Sequence, residues 1–234
     1  MFKKTARFYD ALYASKDYAS EAEHLRLLIE RHRLPPGATL LDVACGTGMH
    51  AHYLKTHYTV DGLDLDEQMV AVARQRYPDL TFHHADMTAF DLGRTFDVVL
   101  CLFGSIGYAK TLDRMRQAVQ TMARHVAPGG LLIVEPWLTP EAYRAGRLYA
   151  SFVDQPDLKI SRMNVSEVHG TTSVLSFHYL VGTPDGVDYF TERHELGLFT
   201  HDQYQTAFRE AGLQVEIDEE GLTGRALYIG SQNS

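Results

Sequence analysis

The run Leu40-Leu41-Asp42-Val43-Ala44-Cys45-Gly46-Thr47-Gly48 carries an apolar stretch into a turn of small residues, with an acidic side chain just ahead of it. Glycines at such a turn let a ligand approach the backbone with no Cβ in the way. A second apolar run, Val60 to Leu63, ends at Asp64, 18 residues beyond Gly46. At that spacing an acid at the end of the next strand reaches the hydroxyls of a ribose. Asp86-Met87 follows a third run, Leu80 to His83. Its carboxylate suits an adenine amino group or the capping of a turn, and both readings stand. Together these residues imply the binding of a nucleoside.

The turn is not a dinucleotide fingerprint. Met49, His50 and Ala51 follow Gly48, so the third glycine is missing, and the Lys-Ser or Lys-Thr of a phosphate loop is missing too. A nucleoside without a phosphate chain fits better, and S-adenosylmethionine is the leading ligand: an adenosine bearing a carboxylate, an ammonium and a sulfonium. Asp42 either faces that ammonium or holds the turn.

These side chains need a scaffold, and the chain is long enough to provide one. With 234 residues, 45% of them hydrophobic, one sizeable core with additions is expected. The formal net charge of -8 argues against a nucleic-acid or membrane surface binder and for a small-molecule substrate. Cys45 and Cys101 read as buried thiols, and no metal quartet can be built from them. Lys3 and Lys4 are followed by no long apolar core, and no apolar run approaches a membrane span, so a soluble cytoplasmic protein is expected.

Leu25, Leu28 and Ile29 recur at helical spacing between Ser20 and Arg33, and Pro35-Pro36-Gly37 breaks the chain after them. Residues 1–36 therefore read as a helical lid. Val60–Leu63, Leu80–His83, Phe96–Leu102 and Leu131–Glu135 alternate with helical stretches, one starting at Asp66 and another running from Leu112 to Val126. That rhythm predicts a parallel sheet. Beyond Pro136 the pattern changes to Lys159–Val168, Thr172–Gly182 and Val187–Phe199, joined by His169-Gly170 and Asp185-Gly186. Those turns predict an antiparallel meander. A helix over Asp202–Ala211 and strands Gln214–Ile217 and Ala226–Ile229 return to the main sheet. The predicted fold is α/β, a Rossmann-like sheet over 37–138 and 200–234, with 139–199 inserted as a cap. Ligands of such sheets sit at the carboxyl ends of the strands, so Gly46, Asp64, Asp86 and Ser105 should face one crevice.

Phe103-Gly104-Ser105-Ile106-Gly107-Tyr108 completes a pattern that resembles the class I S-adenosylmethionine-dependent methyltransferases. More narrowly it resembles the dTDP-amino-sugar N,N-dimethyltransferases of macrolide antibiotic pathways. The narrower likeness rests on Lys16-Asp17-Tyr18-Ala19-Ser20-Glu21-Ala22, on Gly129-Gly130 with Val134-Glu135-Pro136-Trp137, on His178-Tyr179, and on Thr223-Gly224-Arg225. Ser15, Leu138 and Ala226 depart from the group's pattern and bear on the sugar isomer more than on the reaction.

The resemblance implies two successive methyl transfers to the amine of a dTDP-linked 3- or 4-amino-deoxyhexose, with S-adenosylhomocysteine as product and no metal. It assigns Tyr18, Ala44, Gly46, Asp64, Met69, Asp86 and Met87 to the cofactor, to which the reading of the turn adds Asp42 and Gly48. Tyr9, Ser105 and Arg225 fall to the sugar nucleotide, Arg225 at its diphosphate or its nucleoside. Glu21, Tyr108 and His178 would orient the amine or relay its proton, His178 being the best suited by its titration range. An amine attacks a sulfonium with its own lone pair, so proximity carries much of the rate and no single base is indispensable. A methyltransferase for another amine or hydroxyl, and a non-catalytic cofactor-binding protein, are the alternatives. The meander either joins two copies of the chain as a homodimer or covers the active site of a monomer.

Overall fold

The computed structural model describes residues 6–35 and 37–232; Lys3, Lys4 and Pro36 lie outside them. A 3-10 turn, Ala6–Phe8, leads into α1 (Tyr9–Leu12) and α2 (Tyr18–Arg31). There follow β1 (Thr39–Val43), α3 (Met49–Leu54), β2 (Thr59–Asp64), α4 (Glu67–Arg76), β3 (Thr81–His84), β4 (Phe96–Cys101), a 3-10 helix Ser105–Ala109, α5 (Leu112–Ala123) and β5 (Val126–Val134). The strands β6 (Leu148–Gln155), β7 (Leu158–His169), β8 (Thr172–Thr183) and β9 (Gly186–Gly197) come next. The chain closes with α6 (His201–Glu210), β10 (Gln214–Asp218) and β11 (Leu227–Ser231).

Among the described residues the main sheet has seven strands in the order β10-β11-β5-β4-β1-β2-β3. Its first five strands in the chain run parallel, and β11 lies antiparallel to both β5 and β10. Alternate residues of each strand face opposite sides. Leu41, Val43, Val99, Cys101, Leu132 and Val134 pack with Met115 and Val119 of α5 and Tyr204 and Phe208 of α6. Leu40, Val98, Leu100, Leu131 and Ile133 pack with Leu25, Leu28 and Ile29 of α2, Leu54 of α3 and Val70 of α4.

Side chains start the helices: Asp17 accepts from Ser20 N, Asp66 from Gln68 N, and Thr200 with Gln203 closes a full capping box. Four strands in the order β6-β7-β8-β9 form the second, antiparallel sheet.

Three expectations need correction. α2 is part of the core, since its apolar face is buried against the main sheet, so only the residues ahead of Asp17 lie over the pocket described below. β6 is an unanticipated fourth strand of the meander. Pro128-Gly129-Gly130 lies inside β5 and does not precede it: the register against β4 jumps between Phe96 and Val98, and Gly130 comes so near the Asp97 carbonyl that a Cβ would sit 2.6 Å from its oxygen. No helix among the described residues is long and apolar enough to cross a membrane.

Candidate active site

The carboxyl ends of β1, β2, β3 and β4 open into one cavity of about 340 Å³, lined by Gly46, Asp64, Asp86 and Ser105 among others. The sheet order places it where β1 has β2 on one side and β4 on the other, the switch point of a doubly wound sheet. The second sheet closes the far wall with Arg162, Leu175, Phe177, Tyr179 and His194, and α1 closes the top with Tyr9 and Leu12. Asp10 latches α1 to the core by accepting from Thr47 Oγ1 at 2.7 Å and from Arg76. Tyr13 ties the same segment to the cap, its hydroxyl 3.2 Å from Arg162.

The glycine turn is held open by its backbone. Ala44 has φ 59° and Gly46 φ 56°, and a Cβ on Gly46 would meet nothing within 4 Å, so the turn presents bare backbone to the cavity. Gly48, φ 81°, does not line the cavity; a Cβ there would strike the Phe82 ring at 2.9 Å, so it lets α3 approach β3. Asp64 braces the turn by accepting from Gly46 N and Asp66 N, each at 2.8 Å. Burial pushes its carboxyl up while these two backbone bonds pull it down, and the net shift is upward. Each oxygen keeps a lone pair for a ribose hydroxyl.

Asp42 is 1% exposed, and its Oδ2 has no hydrogen-bond partner among the described residues. Burial pushes its carboxyl up to about 6. With Tyr18, Ala44 and Gly46 it lines a small pocket of about 30 Å³ that also borders Tyr9 and Ser105. An orphaned carboxylate oxygen beside a bare glycine backbone suits a ligand ammonium. Met69 and Met87 supply apolar surface to the main cavity. Asp86 accepts from Thr88 N and Oγ1 at 2.8 Å and from Arg114 at 3.1 Å, so it both shapes its turn and lines the cavity. Burial opposes ionisation of Asp86, but Thr88 and Arg114 outweigh it and hold the carboxyl low. These residues fit the adenosine, ribose and amino-acid parts of S-adenosylmethionine.

On the acceptor side Tyr9, Ser105 and Tyr108 line the cavity as anticipated. Three other residues do not. His178 sits on the outer face of β8, because Phe177 and Tyr179 flank it and turn inward; it is exposed and its Nδ1 lies 2.6 Å from the Tyr189 hydroxyl. Glu21 lies behind the glycine turn, bonded to His50 Nε2 at 2.7 Å and to Lys16. Burial raises its carboxyl, and the bonds to His50 and Lys16 more than reverse that, so it stays ionised and committed to this pair.

Arg225 is bound to Glu135 at 3.0 Å and packed on the rings of Phe103 and Trp137. Glu135 is fully buried and also accepts from Phe103 N and Thr223 Oγ1, each at 2.6 Å. Arg225 thus pins the loop after β4 and does not line the cavity. The sequence reading missed Arg162, Arg114, His194 and Glu192. Inward parity on β9 was the signal for His194 and Glu192, and the apolar Val187 and Tyr189 on the outer face of that strand hid it.

Comparison with known proteins shows the family. A methyltransferase domain model matches residues 40–130. The chain is 42% identical, over 96% of its length and 89% of the relative, to dTDP-3-amino-3,6-dideoxy-alpha-D-glucopyranose N,N-dimethyltransferase of Streptomyces fradiae. Its fold superposes on the crystal structure of Streptomyces venezuelae DesVI with a TM-score of 0.92 at 39% identity, covering 98% of this chain and 99% of that one. It also superposes on CalS10, an S-adenosylmethionine-bound amino pentose methyltransferase of Micromonospora echinaspora involved in calicheamicin biosynthesis, with a TM-score of 0.87 at 37% identity over 97% of both chains. The chain belongs to the S-adenosylmethionine-dependent methyltransferases, within the group of the dTDP-amino-sugar N,N-dimethyltransferases.

Proposed function

We propose that the protein methylates the amine of a dTDP-linked amino-deoxyhexose, twice in succession. When bound, S-adenosylmethionine supplies an electrophilic methyl group. The chain's own part is to hold the amine in line with that methyl and to keep water out, as α1 and the second sheet do by closing over the cavity.

The observation that carries the reading is a second cavity, about 290 Å³, that shares Trp137, Arg162, Leu175 and Phe177 with the first. An acceptor longer than a sugar alone fits this pair of cavities. Arg162 stands at their junction, with Nε on Ser151 Oγ at 3.0 Å and its guanidinium over the rings of Tyr13 and Phe177. That is a suitable cation for a diphosphate, and it takes over the role expected of Arg225. Beyond it Asn164 is buried, with an Nδ2 that has no partner among the described residues, beside Tyr149 and Trp137. An unpaired amide donor in a cavity lined by aromatic rings suits the carbonyl edge of a pyrimidine.

Calorimetry of dTDP in the presence of S-adenosylhomocysteine tests the assignment. Arg162→Ala is expected to weaken dTDP about tenfold or more, as for loss of a charge-assisted contact. Equal binding by Arg162→Ala and wild type removes the nucleotide from this cavity.

The outer face of the second sheet exposes Leu148, Phe152, Met163, Val165, Leu180, Val187 and Tyr189. This supports a homodimer formed across that face. Light scattering of wild type and of Phe152→Asp decides it: a dimer that the substitution splits supports the interface, and a monomeric wild type refutes it.

A further inference from the structure

Each methyl transfer needs a free lone pair on nitrogen, so an amine that arrives as ammonium must first lose one N–H proton, under the cover of α1 and the second sheet. We infer that Tyr108, His194 and Glu192 form the relay that takes it, Tyr108 as the catalytic residue and the other two as positioning residues behind it. The inference rests on the reading that the acceptor is an amine.

The 3-10 helix Ser105–Ala109 points Tyr108 into the cavity, and β9 brings Glu192 and His194 to its inner face two residues apart. The Tyr108 hydroxyl lies 2.8 Å from His194 Nδ1. Glu192 Oε2 lies 3.8 Å from His194 Nε2, placed to pair with it once the imidazole is protonated. Both residues are buried, His194 being 2% exposed. The imidazole is held edge-on to the Phe177 ring at 5.4 Å. Close packing fixes the distance between the two elements: a Cβ on Gly107 would come within 2.9 Å of Trp137 and 3.1 Å of Leu196.

Tyr108 cannot serve as a preformed phenolate. Burial pushes its phenol well up, and Tyr13 of the lid, Tyr179 of β8, Asp64 of β2 and Glu192 all disfavour a negative charge there. Arg162 of β7 faces the same space but is engaged with Tyr13. The transfer is therefore concerted. An N–H bond of the ammonium breaks as an O–H bond forms at Tyr108, while the phenol's own proton passes to His194 Nδ1. The nitrogen keeps its electron pair, Tyr108 stays neutral throughout, and the positive charge ends on the imidazolium facing Glu192.

Two measurements test this. Side-chain ¹⁵N spectra of histidine in the substrate-free protein, assigned with His194→Gln, should show a bare Nδ1 and a protonated Nε2 in the neutral imidazole. A proton on Nδ1 overturns the relay, and this result needs no substrate. In turnover of a dTDP-amino sugar, His194→Gln should lose about tenfold or more in kcat near pH 6.5, where the amine arrives as ammonium, with KM little changed. At about pH 9 the loss should shrink to about threefold or less, because more of the amine arrives deprotonated. A loss of equal size at both pH values, or none at either, overturns the proposal. Should His194→Gln fail to bind S-adenosylhomocysteine and so prove misfolded, Glu192→Gln carries the same pH comparison. If wild type methylates no dTDP-linked amine, the functional reading fails, and the tautomer still decides the relay.

Discussion

Glu135, fully buried, and Arg225, partly exposed, form an ion pair at 3.0 Å between the end of β5 and the segment before β11. The carboxylate also holds the Phe103 amide and the Thr223 hydroxyl, so three separate stretches of chain converge on one residue. Removing it leaves a guanidinium, an amide and a hydroxyl without their acceptor. Glu135→Ala is expected to destabilise the protein by about 3–5 kcal/mol, the usual cost of breaking a buried charge pair from one side. Urea unfolding measures it, and a loss below about 1 kcal/mol contradicts the assignment.

Asp42 gives a pH signature. Its carboxyl is raised by burial to about 6, against an ordinary value near 3.9 in the unfolded chain. The folded state therefore holds the proton more tightly. Asp42 costs no stability below about pH 4, and the cost grows as pH rises towards 6, reaching about 3 kcal/mol above it. Asp42→Asn should stabilise the cofactor-free protein near pH 7.5 and leave it unchanged near pH 4. The same substitution should weaken S-adenosylhomocysteine about tenfold or more at the higher pH, if the orphaned Oδ2 receives the ammonium. A variant equal to wild type in both respects contradicts this account of Asp42.

Asp64 does two jobs, bracing Gly46 and facing the cavity. Asp64→Ala should therefore weaken S-adenosylhomocysteine by about ten- to a hundredfold, on the scale of one or two hydrogen bonds to a charged group. Calorimetry gives the number directly. Affinity within about twofold of wild type removes Asp64 from the cofactor site.

His178 faces outward, hydrogen-bonded to Tyr189. His178→Asn should leave kcat and KM within about twofold of wild type, as for a surface substitution. A loss as large as that of His194→Gln returns His178 to the chemistry.

The strand-end residues that line the cofactor half of the candidate site were legible in the sequence because their signals are local. An apolar run ending in small residues, and an acid at the end of the next run, describe strand ends whose positions follow from the sheet alone. The acceptor half depends on which face of a strand turns inward. In β8 and β9 both faces carry large apolar residues: Phe177 and Tyr179 inside, Leu180, Val187 and Tyr189 outside. Alternation then gives no preferred face, and nothing local singles out His194. Arg225 and Glu21 misled for another reason. Their charges suggested a ligand, yet each is matched by a buried partner distant in the chain, Glu135 for one and His50 for the other. Pairing of that kind is set by tertiary structure, as is the inner position of Arg162 on β7.

The most direct test of the central claim is mass analysis of dTDP-linked 3-amino and 4-amino deoxyhexoses incubated with the protein and S-adenosylmethionine. One methyl mass and then a second should appear on one of these amines, each matched by one S-adenosylhomocysteine released. If S-adenosylhomocysteine binds the protein but every dTDP-linked amine stays unmethylated, the account is contradicted.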